Sequence, residues 1–283
     1  MVLAIDLGAT NIKAALVEDY KIVSEIKSFP TNASLGREQI LIALKKTINS
    51  LINDKVNHIA VSSAGDIDQL TSTITYATLN LPGMIGFNFD KFCYDEFKIH
   101  ATAINDGLAA LLGEVRLGAA KNYQNKSVLM LTLGTGIGSA VYKNSILTSK
   151  KYGHIRLIDN GALCTCGKRG CAECYLSCKA IESKLKELHI DKNDVFKENF
   201  HDENEFLTDY LNKFSTFLKL IKNDFKYDYV IIGGGITNWM GKDFERIFSS
   251  LKEPIIKASL LNTAGFLGAY CDYMEKCNDN KTI

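Results

Sequence analysis

The densest chemistry in the 283-residue chain lies between His154 and Glu173. His154, Cys164, Cys166 and Cys171 follow the spacing His-x9-Cys-x-Cys-x4-Cys, and Glu173 adds a carboxylate two residues further on. Three thiolates and one imidazole suit a tetrahedral zinc site of the closed, structural kind. Gly167 and Gly170 allow sharp turns between the ligands. Two other readings compete: a loop of unrelated residues, or a disulfide. The N-terminal MVLAIDLGAT has no basic leader and no small-residue cleavage site, so the expected location is cytoplasmic. There, eight cysteines favour thiols and metal over disulfides. Cys174 and Cys178 read as small buried residues of a helix, and Cys93, Cys271 and Cys277 carry no chemical signal.

Two glycine-rich turns are the next candidates. Residues 2–6 are an apolar run ending in Asp6; a polar tip with Gly8, Thr10, Asn11 and Lys13 follows, then a second apolar run. This predicts a β-hairpin. Its tip is either an ordinary solvated turn or a phosphate cradle, with Asp6 holding Mg²⁺ through water. Residues 127–142 repeat the layout, with LGTGIGSA echoing LGATNIKA. Such an echo predicts two similar domains facing each other across a cleft. The second turn is no dinucleotide fingerprint, because an apolar strand follows it where a helix would be needed.

Elements around these turns follow from hydrophobic spacing. Residues 36–53 read as a helix, HIAVSS as a strand, and KFCYDEFKI as a helix. A strand over 101–104 runs into Asn105 and Asp106, which open a helix. That pair is either an N-cap or a catalytic carboxylate at a sheet edge. Tyr175–Leu188 and Glu205–Ile221 have helical spacing. YVIIGGGITN reads as strand, turn and helix start, with Gly233, Gly234 and Gly235 either tightening the turn or admitting a flat ligand. The three prolines are scattered, and no low-complexity linker divides the chain. The expected domains are 1–107, with the C-terminal helix 266–283 as a candidate to complete it, and 108–265.

Composition narrows the partners. Lysine and arginine total 33 against 32 acids, for a net charge of +1. That balance supports neither nucleic-acid nor membrane binding. No apolar run reaches the ~18–20 residues of a membrane span.

The ordered motifs AIDLGATNIKAALV, TLNLPGM, INDGLAALLGE, LTLGTGIGSAV, GHI, CTCGKRGCAE, VIIGGGITN and NTAGFLGA cover nearly the whole chain. In this order they resemble the ROK family of sugar kinases, regulators and related proteins. The resemblance implies an α/β, two-domain actin-like ATPase fold of the ribonuclease H-like kind. It also implies ATP-dependent phosphorylation of a hexose or hexose derivative, with structural zinc and with Mg²⁺ accompanying ATP. Asp6, Gly8, Thr10 and Lys13 match the first phosphate turn. Gly134, Thr135, Gly136 and Gly138 match the second, and Gly233, Gly234 and Gly235 the adenosine motif. Asp106 falls on the catalytic base. Asn80, Asn105, His154 and Glu173 fall on sugar contacts, His154 also ligating zinc with Cys164, Cys166 and Cys171. Family members are commonly dimers or tetramers, so a homodimer or homotetramer is expected.

One departure stands out. The family usually carries a glutamate three residues before the zinc histidine; here Lys151 takes that place, and the connection from Val141 to Gly153 looks several residues short. An ammonium removes a hydroxyl acceptor and adds a donor and a charge. Lys151 then points to an anionic or modified substrate, to a surface lysine with the sugar held elsewhere, or to weak or lost phosphorylation. The alternative function is therefore a non-catalytic sugar- or nucleotide-binding protein. A regulator of the same family is disfavoured, because the first hairpin begins at residue 2 and leaves no space for a helix-turn-helix.

Overall fold

The apolar run of residues 2–7 enters the centre of a sheet because both of its faces are covered. In the structure, a computed structural model describing residues 1–77, 81–191, 195–196 and 205–279, β1 (Val2–Leu7) is buried except at Asp6. It pairs antiparallel with β2 (Asn11–Glu18), which pairs in turn with β3 (Lys21–Ile22) and β4 (Lys27–Pro30). After α1 (Arg37–Asn49), the fully buried β5 (His58–Ser63) runs parallel to β1. A small ribbon of β6 (Asp66–Asp68) and β7 (Thr73–Tyr76) precedes α2 (Phe89–Phe97). Then β8 (Ala101–Asn105), parallel to β5, leads into α3 (Asp106–Arg116). The sheet order is β3-β2-β1-β5-β8. Continuously apolar central strands are what parallel pairing between layers demands.

A second unit begins at Gly118 and repeats this plan. Here β9 (Val128–Leu133) forms a hairpin with β10 (Ile137–Lys143), and β10 forms another with β11 (Ile146–Lys150). The cysteine loop leads to α4 (Glu173–Leu176) and α5 (Cys178–Glu187), and α6 (Glu205–Asp224) follows. Next come β12 (Tyr229–Gly233), α7 (Gly235–Met240), α8 (Phe244–Ser249) and β13 (Ile255–Lys257). The order β11-β10-β9-β12-β13 matches that of the first sheet, antiparallel on one side and parallel on the other. The echo between the two glycine turns thus extends to the topology around them. The core of this unit gathers Phe214, Phe217, Phe244 and Phe248 against Leu129, Leu131 and Ile232. Along α6 the buried Leu207, Tyr210, Phe214, Phe217, Leu218 and Ile221 form one stripe at helical spacing.

Two local features go beyond the sequence reading. Within the connection from Val141 to Gly153, Asn144 and Ser145, at φ 51° and 63°, make a two-residue turn and Ile146–Lys150 forms an edge strand. The helix expected over 175–188 breaks at Ser177, whose extended backbone and side chain cap α5 by accepting from the Ala180 N–H.

The chain returns to the first unit with α9 (Ala264–Asp279). Its approach to α3 is set by Gly268, where a Cβ would stand 1.7 Å from the Ala109 carbonyl oxygen. Gly268→Val is expected to cost about 3 kcal/mol through overpacking, read as a lower urea midpoint; an unchanged midpoint would disprove this close packing. Tyr273 of the same helix stacks on His58, ring centroids 3.8 Å apart. Burial pushes the His58 imidazole down to about 4, and the carboxylate of Asp90 offsets this only in part. A depressed folded value means that stability is present above the unfolded value near 6.5 and is lost as pH falls toward 4. About 3 kcal/mol should disappear across that window, and His58→Phe should flatten the pH slope of urea unfolding.

Candidate functional site

The tip of the first hairpin places a carboxylate and an ammonium opposite each other, since Asp6 and Lys13 are register partners. The Gly8 N–H closes the turn on the Asn11 carbonyl at 3.1 Å. Thr31 then pins the tip: its hydroxyl donates to the Gly8 carbonyl at 2.7 Å and its N–H to the Thr10 carbonyl at 2.9 Å. Asp6 accepts from the Ser62 hydroxyl at 2.9 Å. Desolvation raises its pKa, against the pull of Ser62 and Lys13. The start of α9 lies against this carboxylate, where a Cβ on Gly265 would stand 2.7 Å from Asp6 Oδ1. A hard oxygen donor of this kind fits Mg²⁺.

Asp106 stands where β8 ends and α3 begins. Asn105 is the N-cap: its Oδ1 accepts from the Gly107 and Leu108 N–H groups at 3.0 and 3.1 Å. Its amide donates to the Gly65 carbonyl at 2.7 Å and to Asp106 Oδ1 at 3.0 Å. The cap and the carboxylate, alternatives in the sequence, are therefore adjacent residues with separate tasks. Asn105 uses both amide hydrogens within the protein, so it orients Asp106. The Asp106 carboxyl keeps access to solvent while crowded by protein atoms, and its pKa is pushed up to about 6. Desolvation is the largest cause; the Gly107 N–H opposes it, and the like charge of Asp6 adds to it.

In the second unit the equivalent hairpin has different chemistry at the same register. Thr132 pairs with Gly138, and a Cβ at Gly138 would stand 2.3 Å from the Thr132 hydroxyl. The Gly134 N–H closes the turn on Gly136 O at 3.0 Å, and the Gly134 carbonyl accepts from the Cys178 N–H at 2.8 Å. The adjacent Gly234 has φ 87° and passes so close to Leu133 that a Cβ would meet its carbonyl oxygen at 2.5 Å. That glycine is needed for the strand-to-helix turn itself, where Gly233 ends β12 and Gly235 begins α7.

His154, Cys164, Cys166 and Cys171 converge, their ligand atoms all within 4.8 Å of one another. His154 Nδ1 is 3.7 Å from Cys164 Sγ, and Cys166 Sγ is 3.6 Å from Cys171 Sγ. A Zn–S bond of about 2.3 Å gives a tetrahedral edge of about 3.8 Å, so the donor set fits zinc in number, type and spacing. The loop is built for this: Gly170, at φ 76°, lies where a Cβ would fall 1.7 Å from the Ile158 carbonyl oxygen. Its N–H and carbonyl bond to Ala162 O and the Leu157 N–H.

Glu173 extends from the end of this loop to the second glycine turn. Its Oε2 accepts from the Ile137 N–H at 2.9 Å. The sequence gives no sign of this contact. Lys151 is exposed and precedes the short turn Tyr152–His154, its carbonyl accepting from the His154 N–H at 3.0 Å. Its neighbours anchor the segment to α6, with the Tyr152 hydroxyl and Lys150 Nζ at 2.6 and 2.8 Å from Asp224 Oδ2. Asn80 lies outside the described residues.

These paired units, with a glycine hairpin at the head of each sheet, define an α/β ATPase-like architecture. The ROK family profile matches residues 2–271, and the chain belongs to that family. It is 26% identical over 296 residues to the glucokinase of Thermotoga maritima, covering 95% of this chain and 90% of that protein. It is 29% identical over 218 residues to the N-acetylmannosamine kinase of Haemophilus influenzae, covering 73% and 69%. Among solved structures, the ROK family glucokinase of Streptomyces griseus, in complex with glucose and AMPPNP, superposes with a TM-score of 0.76. That match has 21% identity and covers 96% of this chain and 98% of the other. The fold is the two-domain actin-like one. No helix among the described residues is long and apolar enough to cross a membrane.

Proposed function

We propose that this protein is an ATP-dependent kinase of a hexose or hexose derivative. The observation that carries the proposal is the Asp106 carboxylate, held at the end of β8 by Asn105 and Gly107 with its pKa near 6. The relatives named glucokinase and N-acetylmannosamine kinase support the same reading. Near neutral pH Asp106 is mostly ionised and able to take a proton from a sugar hydroxyl as that oxygen attacks the γ-phosphoryl group in line. The turns at Gly8–Lys13 and Gly134–Gly138 receive the phosphates, and Gly233–Gly235 the adenosine. Mg²⁺, when bound, would neutralise charge on the phosphates, and Asp6 would hold it through water. Asn80, Asn105, His154 and Glu173 are assigned to the sugar, with Asn105 acting through Asp106. His154 and the three cysteines hold the structural zinc, and the protein acts as a homodimer or homotetramer.

The second reading, sugar or nucleotide binding without catalysis, is favoured by Lys151 beside the His154 turn. Measuring ATP consumption with hexoses, N-acetylhexosamines and sugar acids separates the two. Turnover with at least one neutral or acidic sugar is expected. Nucleotide binding with turnover on none would establish the non-catalytic reading, and a preference for sugar acids would trace to the Lys151 ammonium.

A further inference from the structure

Glu173 joins two parts of the second unit that the proposed chemistry treats separately. Its Oε2 accepts the Ile137 N–H at the exit of the glycine turn at 2.9 Å, and its Oε1 lies 3.9 Å from Cys164 Sγ. The turn is shaped around it: a Cβ on Gly136 would stand 2.4 Å from Glu173 Oε2 and 3.1 Å from its carboxyl carbon. Gly136 has no left-handed backbone that would itself require glycine, so the close approach of this carboxylate is what excludes a side chain there. Glu173 begins α4 directly after Cys171 and Ala172, and the Ala172 N–H is tied to the Ile155 carbonyl at 2.9 Å. The carboxylate is therefore positioned by the cysteine loop, with its Oε2 engaged by the turn's backbone.

We propose that Glu173 is a positioning residue, a strut by which the ordered Cys3His loop fixes the Gly134–Gly138 turn in the shape that receives nucleotide phosphates. The assignment of phosphates to that turn rests on the proposed kinase function; the strut itself does not. An N–H donating to a carboxylate is a charge-assisted bond, stronger than an amide pair and costly to lose where the turn is packed. The state of the Cys3His loop is then felt at the turn through one side chain, 36 residues from its N–H donor in sequence.

Backbone hydrogen exchange over residues 134–139, with no nucleotide present, reads the strut independently of function. Glu173→Ala should speed exchange at Ile137 about tenfold while zinc content stays at one per chain. Glu173→Gln keeps an oxygen acceptor and should restore most of the protection. Chelating zinc from the unmodified protein should expose Ile137 similarly, and should add little in Glu173→Ala. Unchanged exchange at Ile137 in Glu173→Ala would overturn the strut, as would full additivity of chelation and substitution. ADP titration without sugar supplies the functional arm. Glu173→Ala should bind ADP about tenfold more weakly than Glu173→Gln, whereas a residue that only contacts sugar would leave ADP affinity unmoved. If the unmodified protein binds no ADP while Ile137 exchange still depends on Glu173, the strut stands and the nucleotide reading falls.

Discussion

Asp106→Asn is expected to lower turnover about a thousandfold, within the range for loss of a general base, with nucleotide binding retained. The amide keeps the shape of the carboxyl group, so the capping bonds of Asn105 and the Gly107 N–H can persist. What disappears is the basic oxygen. Stability should not fall. A carboxylate whose folded pKa is raised opposes folding once pH exceeds its unfolded value, so a neutral amide is neutral or favourable at pH 8. The pH profile gives an independent check. Because the base works ionised, kcat/KM should rise through pH 6 and level off above it, and this limb should vanish in the variant's residual activity. A variant with full turnover would remove Asp106 from the chemistry.

Cys171→Ser should have the second large effect, on metal and stability together. Cys171 is 1% exposed, and its neighbours are tied to Ile155, Leu157 and Ile158 through backbone bonds that cross the loop. Ligand geometry of this kind makes metal-binding free energy part of folding free energy. The native protein should carry one zinc per chain. The serine variant should lose most of it and melt roughly 10 °C lower, a deficit of at least about 3 kcal/mol for a unit of this size. Protein isolated without metal, with an unchanged melting midpoint in the variant, would contradict the zinc assignment.

The parts of the site carried by neighbours in sequence could be read from the chain. Both hairpins announce themselves as apolar run, glycine tip and apolar run, because a turn of a few residues fixes strand pairing locally. His154 and the cysteines fall within one loop, so their convergence follows from spacing. The zinc loop's partner was hidden for the opposite reason: nothing near Ile137 signals that its N–H meets a carboxylate 36 residues on. Asn105 could be placed at a helix start, yet its bond to Gly65 belongs to tertiary packing. Ile146–Lys150 carries no strand signal because it is an exposed edge strand, half-polar and short, whose register depends on the positive φ of Asn144 and Ser145. The burial that depresses His58 is likewise tertiary: Tyr273 stacks on its ring and Thr102 lies at hydrogen-bond distance, both remote in sequence.

The kinase proposal is tested most directly by following the γ-phosphoryl group itself. Purified protein, γ-labelled ATP, Mg²⁺ and glucose, N-acetylmannosamine or a sugar acid should yield label on the sugar, at a rate that collapses in Asp106→Asn. Label that stays on ATP or appears only as inorganic phosphate with every sugar, while the nucleotide binds, would contradict it.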